Sequence, residues 1–83
     1  MTTVTLYTTS TCPYCRNAKS LLANKGVEVQ EFNIEFDSAR RKEMMALSGR
    51  RSVPQIFIGD HHVGGFDDLA LLDRQGGLMA LLA

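Results

Sequence analysis

At 83 residues, with 45% hydrophobic and 22% charged side chains, the chain has the make-up of one small globular domain over residues 1–83. It lies near the lower size limit for a core that needs no staple. Nine Lys and Arg against nine Asp and Glu leave zero formal charge, which removes the electrostatic basis for a nucleic-acid partner or an anionic membrane surface. No stretch approaches membrane-spanning length, and Met1-Thr2-Thr3 runs into a strand pattern without a basic-then-apolar leader, so the cytosol is the expected compartment.

The elements follow from periodicity and stop signals. Val4-Thr5-Leu6-Tyr7-Thr8 alternates and is β-branched, which predicts a first strand ending at Thr9-Ser10-Thr11. From Cys15 to Lys25, Ala18, Leu21 and Leu22 share one face and Gly26 caps the end of a first helix. Val27 to Phe32 alternates as a second strand. Asp37 or Ser38 caps a second helix, with Met44, Met45 and Leu47 expected inward and Gly49 as its stop. Gln55-Ile56-Phe57-Ile58, a Gly59-Asp60 turn and His62-Val63 read as an antiparallel hairpin. Asp67-Asp68 opens a third helix running through Leu69 and Leu72 to a Gly76-Gly77 stop, after which Leu78, Leu81 and Leu82 dock a last turn. The order βαβαββα predicts an α/β fold in which a four-stranded mixed sheet is flanked by helices, the thioredoxin-like architecture.

Cys12-Pro13-Tyr14-Cys15 sits at the junction of the first strand and helix. In a reducing compartment, cysteines at this spacing suit catalysis or metal binding more than a structural staple, since so short a loop constrains little chain entropy. Proline is favoured at the first helical position, where its missing N–H is no loss, so Pro13 there makes Cys12 the N-cap. The Cys12 sulfur can then accept from the free N–H groups of Tyr14 and Cys15 at the positive helix end. That favours thiolate, the attacking species in disulfide exchange. Cys15, one turn inward, is placed to resolve a mixed disulfide formed at Cys12. Two plainer readings are inert core cysteines and half of a zinc site. Zinc needs further ligands, and His61 and His62 point to opposite faces of a strand, so no metal is expected.

Thr11-Cys12-Pro13-Tyr14-Cys15, then Ser52-Val53-Pro54, then Gly64-Gly65-Phe66-Asp67-Asp68 together resemble the dithiol glutaredoxins, especially the small bacterial glutaredoxin-3 kind. The resemblance covers essentially the whole chain. It implies a glutathione-dependent disulfide oxidoreductase, a cis bond between Val53 and Pro54, and a Val53 backbone that pairs, strand-like, with the cysteine residue of glutathione. Glycine weakens a strand, so Gly64-Gly65 marks the close approach of a ligand or another backbone.

The free N–H groups at Asp67-Asp68 are implied to hold the γ-glutamyl carboxylate, and Asp68 its ammonium, although both acids also serve as ordinary helix caps. Arg41 falls where the family places a polar or basic residue against the glycine carboxylate. Arg40, Arg41 and Lys42 oppose the macrodipole in the first turn of their helix, and a solvated basic face is the plain alternative. Tyr14 is expected beside the sulfur and Phe66 as a wall of the groove or a core residue.

Two departures from the family stand out. Thr9 replaces a lysine common three residues before the nucleophile, which leaves the helix end, and in part Arg16, to stabilise the thiolate. Phe66 replaces a further cysteine found in several relatives. The partners implied are glutathione and glutathionylated or disulfide-containing proteins, ribonucleotide reductase among the candidates, with the chain acting as a monomer. The rivals are a redoxin served by thioredoxin reductase, which lacks a glutathione groove, and a non-enzymatic iron-sulfur carrier, against which the stiff Pro13 argues.

Overall fold

The computed structural model describes residues 3–82. The alternating run Val4–Thr8 forms strand β1, which pairs in parallel with β2 (Val29–Asn33) and antiparallel with β3 (Gln55–Ile58). Strand β4 (His61–Gly64) completes a sheet of order β2-β1-β3-β4. Helix α1 (Pro13–Asn24) follows β1, α2 (Ser38–Ser48) follows β2, and α3 (Phe66–Arg74) and α4 (Gly77–Leu82) close the chain.

The strand period of two sorts the core into two layers. Val4, Leu6, Ile56 and Ile58 face one way and bury Ala18 and Leu22 of α1, Leu69 of α3 and Leu78 of α4. Tyr7 and Phe57 face the other way, against Ile34 and Met44 of α2. Full burial of aliphatic side chains such as Leu22 or Leu78 stabilises the fold by about 1.5–3 kcal/mol each. Buried polar groups are paired: Thr8 Oγ1 donates to Glu31 Oε2 (2.6 Å), and Gln55 Nε2 to the Ser52 carbonyl (3.0 Å).

Three expectations are corrected. The second strand starts at Val29 instead of Val27, because the Val27 N–H still bonds to the Leu22 carbonyl (3.1 Å) as α1 is closed off. Leu47 is 59% exposed and not inward, since α2 meets the sheet along a narrow stripe centred on Met44. The chain also ends in a full helix, giving the order βαβαββαα. Gly76, at φ +79°, stops α3, but Gly77 begins α4, and a Cβ there would lie 2.7 Å from Leu72 Cδ1, so a larger residue would have to displace the end of the Leu72 side chain for α4 to fold back on α3.

In α2, Asp37 is the N-cap, its Oδ1 accepting from the Arg40 N–H at 3.0 Å, and Gly49 ends the helix in the left-handed region. Arg40 offsets its unfavourable place in the first turn by pairing with Glu43 (3.0 Å) and covering the Phe32 ring at 3.9 Å. Among the described residues no helix is long and apolar enough to cross a membrane.

Candidate active site

Pro13 occupies the start of α1 and Cys12 is its N-cap in extended conformation. The Cys12 sulfur accepts from the Cys15 N–H at 3.2 Å; the Tyr14 N–H expected beside it is not among its partners. The sulfur also lies 3.8 Å from the Val53 carbonyl, towards which its thiol donates. Both cysteines are free, Cys12 half-buried and Cys15 only 1% exposed. Burial, followed by its hydrogen bond with Cys12, pushes the Cys15 thiol up to about 12, against an opposing Thr9 backbone contact. Cys15 therefore keeps its proton at neutral pH while Cys12 faces the surface.

The negative charge of Glu31 adds to the rise at Cys15. No motif in the sequence marks this residue. It bridges Thr8 and Lys19, the latter at 3.3 Å, and Lys19 lies one turn along α1 from Cys15. The available signal was its place on the strand parallel to β1, which holds it beside that helix.

Two loops complete the site. The first leaves Gly49 and runs through Arg50, Arg51 and Ser52 to the cis Val53–Pro54 peptide. Gln55 anchors it through the Ser52 carbonyl, while its own Oε1 lies 2.8 Å from His62 Nε2. His62 stacks on Phe57 with centroids 4.8 Å apart, and burial lowers its basicity, which gives this histidine a packing role. The second loop is Gly64-Gly65, where Gly65 serves as N-cap of α3. Asp68, at the third helical position, reaches back to accept from the Gly65 N–H (2.9 Å) and from Arg50 Nη1 (3.1 Å). These two donors, the Gly65 N–H first, hold the Asp68 carboxyl below the usual carboxylate range.

A cleft of about 200 Å³ lies between the loops, lined by Tyr14, Arg50, Ser52, Val53, Pro54, Gly65, Phe66, Asp67 and Asp68. Tyr14 and Phe66, both in its lining, stack on one another with centroids 6.3 Å apart. The fold thus gathers Tyr14, Ser52, Val53, Pro54, Gly65, Phe66, Asp67 and Asp68 around one cleft, next to Cys12. It does not bring Arg41 there: the Arg41 guanidinium donates to the Ile34 carbonyl at 3.5 Å. Arg50 lines the cleft instead, and nothing in the local pattern separates it from Arg51 beyond its place directly after the helix-stopping Gly49.

The glutaredoxin family model matches residues 4–63. The chain is 55% identical over 82 residues to Glutaredoxin 3 of Escherichia coli (strain K12), with 99% of either chain covered. The chain belongs to the glutaredoxin family. This glutaredoxin is a glutathione-dependent thiol-disulfide oxidoreductase that reduces protein-glutathione mixed disulfides and protein disulfides through its Cys12-Pro13-Tyr14-Cys15 dithiol.

Its thioredoxin-like fold is matched by the solution structure of glutaredoxin from Brucella melitensis, with a TM-score of 0.86 and 50% identity, covering 99% of this chain and 89% of that one. The crystal structure of a buckwheat glutaredoxin-glutathione complex is similar at a TM-score of 0.89 and 27% identity, covering 98% and 76%.

Proposed function

We propose that the cleft beside Cys12 binds the glutathione moiety of both the mixed-disulfide substrate and the reductant. The observation that carries this is the convergence, in one cleft, of the Val53 backbone 3.8 Å from the Cys12 sulfur and an ionised Asp68 at the start of α3. The buckwheat relative forms a glutathione complex on the same fold, which supports the assignment. Val53 pairs with the cysteine residue of glutathione as a strand edge would. Ser52, Pro54 and Gly65 shape the floor, and Tyr14 and Phe66 flank it. The first N–H groups of α3, those of Phe66, Asp67 and Asp68, face the γ-glutamyl carboxylate, and Asp68 takes the ammonium.

With a protein-glutathione mixed disulfide, the Cys12 thiolate attacks the glutathione sulfur. A Cys12–glutathione disulfide forms as the original S–S bond breaks, and the protein departs as a thiolate that takes a proton from water. A second glutathione, as thiolate, attacks the bound glutathione sulfur, releasing glutathione disulfide and the Cys12 thiolate. With a protein disulfide, Cys12 first forms a mixed disulfide with the substrate. Cys15 then gives up its proton and attacks the Cys12 sulfur, which closes the Cys12–Cys15 disulfide and frees the second protein thiol; two glutathiones restore the dithiol.

The order of events is built into Cys15. Its proton is held by burial and by Cys12, and the contributions of Cys12 end when Cys12 enters a mixed disulfide. The Cys15 thiol thus becomes easier to ionise once a mixed disulfide is present, while burial, the larger cause, still holds it up.

The same proposal places the enzyme in the cytoplasm, where the glutathione pool is reducing, as a monomer with ribonucleotide reductase among its disulfide substrates. The test is to offer the oxidised protein glutathione with glutathione reductase on one side, and thioredoxin reductase on the other. Reduction by glutathione is expected; a response to thioredoxin reductase alone refutes the glutathione cleft.

A further inference from the structure

Arg50 is the one basic residue lining the cleft among the described residues, and the other charged lining groups, Asp67 and Asp68, are both acids. A γ-glutamyl head is a zwitterion: a cation and an anion on one carbon. Its carboxylate approaches two carboxylates if only the helix end receives it. The complement of a zwitterion is an anion and a cation held side by side, which is what the Arg50–Asp68 pair presents at 3.1 Å.

We propose that Arg50 is a specificity-determining residue of this cleft: paired with Asp68, it binds the α-carboxylate of the γ-glutamyl zwitterion while Asp68 takes the adjacent ammonium. The inference rests on the glutathione reading of the cleft and adds a residue to it.

The donor and acceptor inventory fits. Both contacts of Asp68, from Arg50 Nη1 and the Gly65 N–H, end on Oδ2, so Oδ1 is left to a ligand ammonium without breaking the pair. Arg50 gives Asp68 one donor of its planar fork, leaving others for a carboxylate. The two side chains are 48% and 45% exposed, open to an incoming ligand.

The backbone makes room for the pair. Gly64 has φ +116°, and a Cβ there would run into the Asp68 carboxylate and come within 3.2 Å of Arg50 Nη1. The close approach that Gly64-Gly65 signalled in the sequence is therefore, at Gly64, that of an ion pair. An exposed pair of this kind contributes little to stability, so its consequence lies in recognition.

The test is single-turnover transfer to the reduced enzyme from three mixed disulfides: glutathione, glutathione with its γ-glutamyl α-carboxylate amidated, and glutaryl-cysteinyl-glycine, which lacks the α-amine. Wild type is expected to lose about 10- to 100-fold in kcat/KM on amidation. Arg50→Met is expected to lose about as much on glutathione itself and then to be nearly indifferent to amidation, while still penalising loss of the amine. Asp68→Asn should show the reverse, and Arg50→Lys should regain part of the carboxylate discrimination. A melting curve for each variant confirms folding.

If Arg50→Met keeps the full amidation penalty, or uses glutathione better than wild type because Arg50 merely competes for Asp68, the inference is overturned and the cleft stands. If wild type discriminates against neither analogue, the glutathione reading of the cleft falls, and this inference with it.

Discussion

At the sulfur end of the site, Cys12 caps α1 and Cys15 lies in its first turn, joined by a hydrogen bond across three residues of sequence. At the other end, Arg50 and Asp68 are 18 residues apart and meet only because a loop after α2 and the start of α3 converge. The sulfur end is local: an N-cap, a proline and one helical turn suffice to give two thiols unlike environments. The recognition end is assembled, and each of its parts depends on how the β3–β4 hairpin seats its loops. Changes at the first end should alter whether sulfur chemistry occurs, and changes at the second how well one disulfide is preferred over another.

The largest effect is expected from Cys12→Ser. A serine hydroxyl is not ionised at neutral pH, so both glutathione-mixed-disulfide and protein-disulfide reduction should fall more than about 1,000-fold. Cys15→Ser should keep deglutathionylation and lose only protein-disulfide reduction. A glutathione-coupled assay reads both, and residual wild-type activity in Cys12→Ser would break the assignment of nucleophile.

Next in size is a pH effect confined to the sulfur end. Cys15 is raised to about 12, so it is almost wholly thiol near neutrality, and its reactive thiolate grows as pH rises. Burial, the largest cause, persists in the mixed disulfide. Closure of the Cys12–Cys15 disulfide should accelerate about 100-fold from pH 6 to pH 8, tenfold per unit. Acid-quenched single turnovers followed by mass spectrometry measure it, and a flat profile would show that the buried proton is not what limits resolution.

At the recognition end, Asp68→Asn removes the charge proposed to meet the ligand ammonium and leaves a polar group of the same shape. KM for a glutathione mixed disulfide should rise about tenfold with kcat little changed. An equal fall in kcat would blur the division between the two ends. The smallest effect is expected where they touch, at the Tyr14–Phe66 stack. Tyr14→Ala and Phe66→Ala should each raise KM a few-fold. Their double-mutant cycle should give a coupling of about 0.5–1.5 kcal/mol, and strict additivity would mean that the rings wall the cleft independently.

The same division separates what could be read ahead of the structure from what could not. Pro13 at N1 and Cys12 as N-cap follow from helix-terminus chemistry within a few residues, and so does the stop at Gly49. Arg41 and Arg50 could not be ranked that way. Both are arginines near α2, yet one turns to the Ile34 carbonyl and the other to Asp68, because long side chains go where partners from distant segments happen to lie. Leu47 misled for a related reason: helical period shows which residues share a face, while the width of the stripe that is covered depends on what packs against it.

The order of strands and helices up to α3, the paired cysteines and the three motifs around the cleft are properties of the chain's local chemistry, legible because caps, breakers and alternation act over a few residues. The conversion of the Gly76-Gly77 stop into the start of α4, the burial that holds the Cys15 proton and the pairing of Arg50 with Asp68 above Gly64 belong to the folded molecule. Each depends on groups far apart in sequence that come within a few ångströms only when the sheet and its helices close around one core.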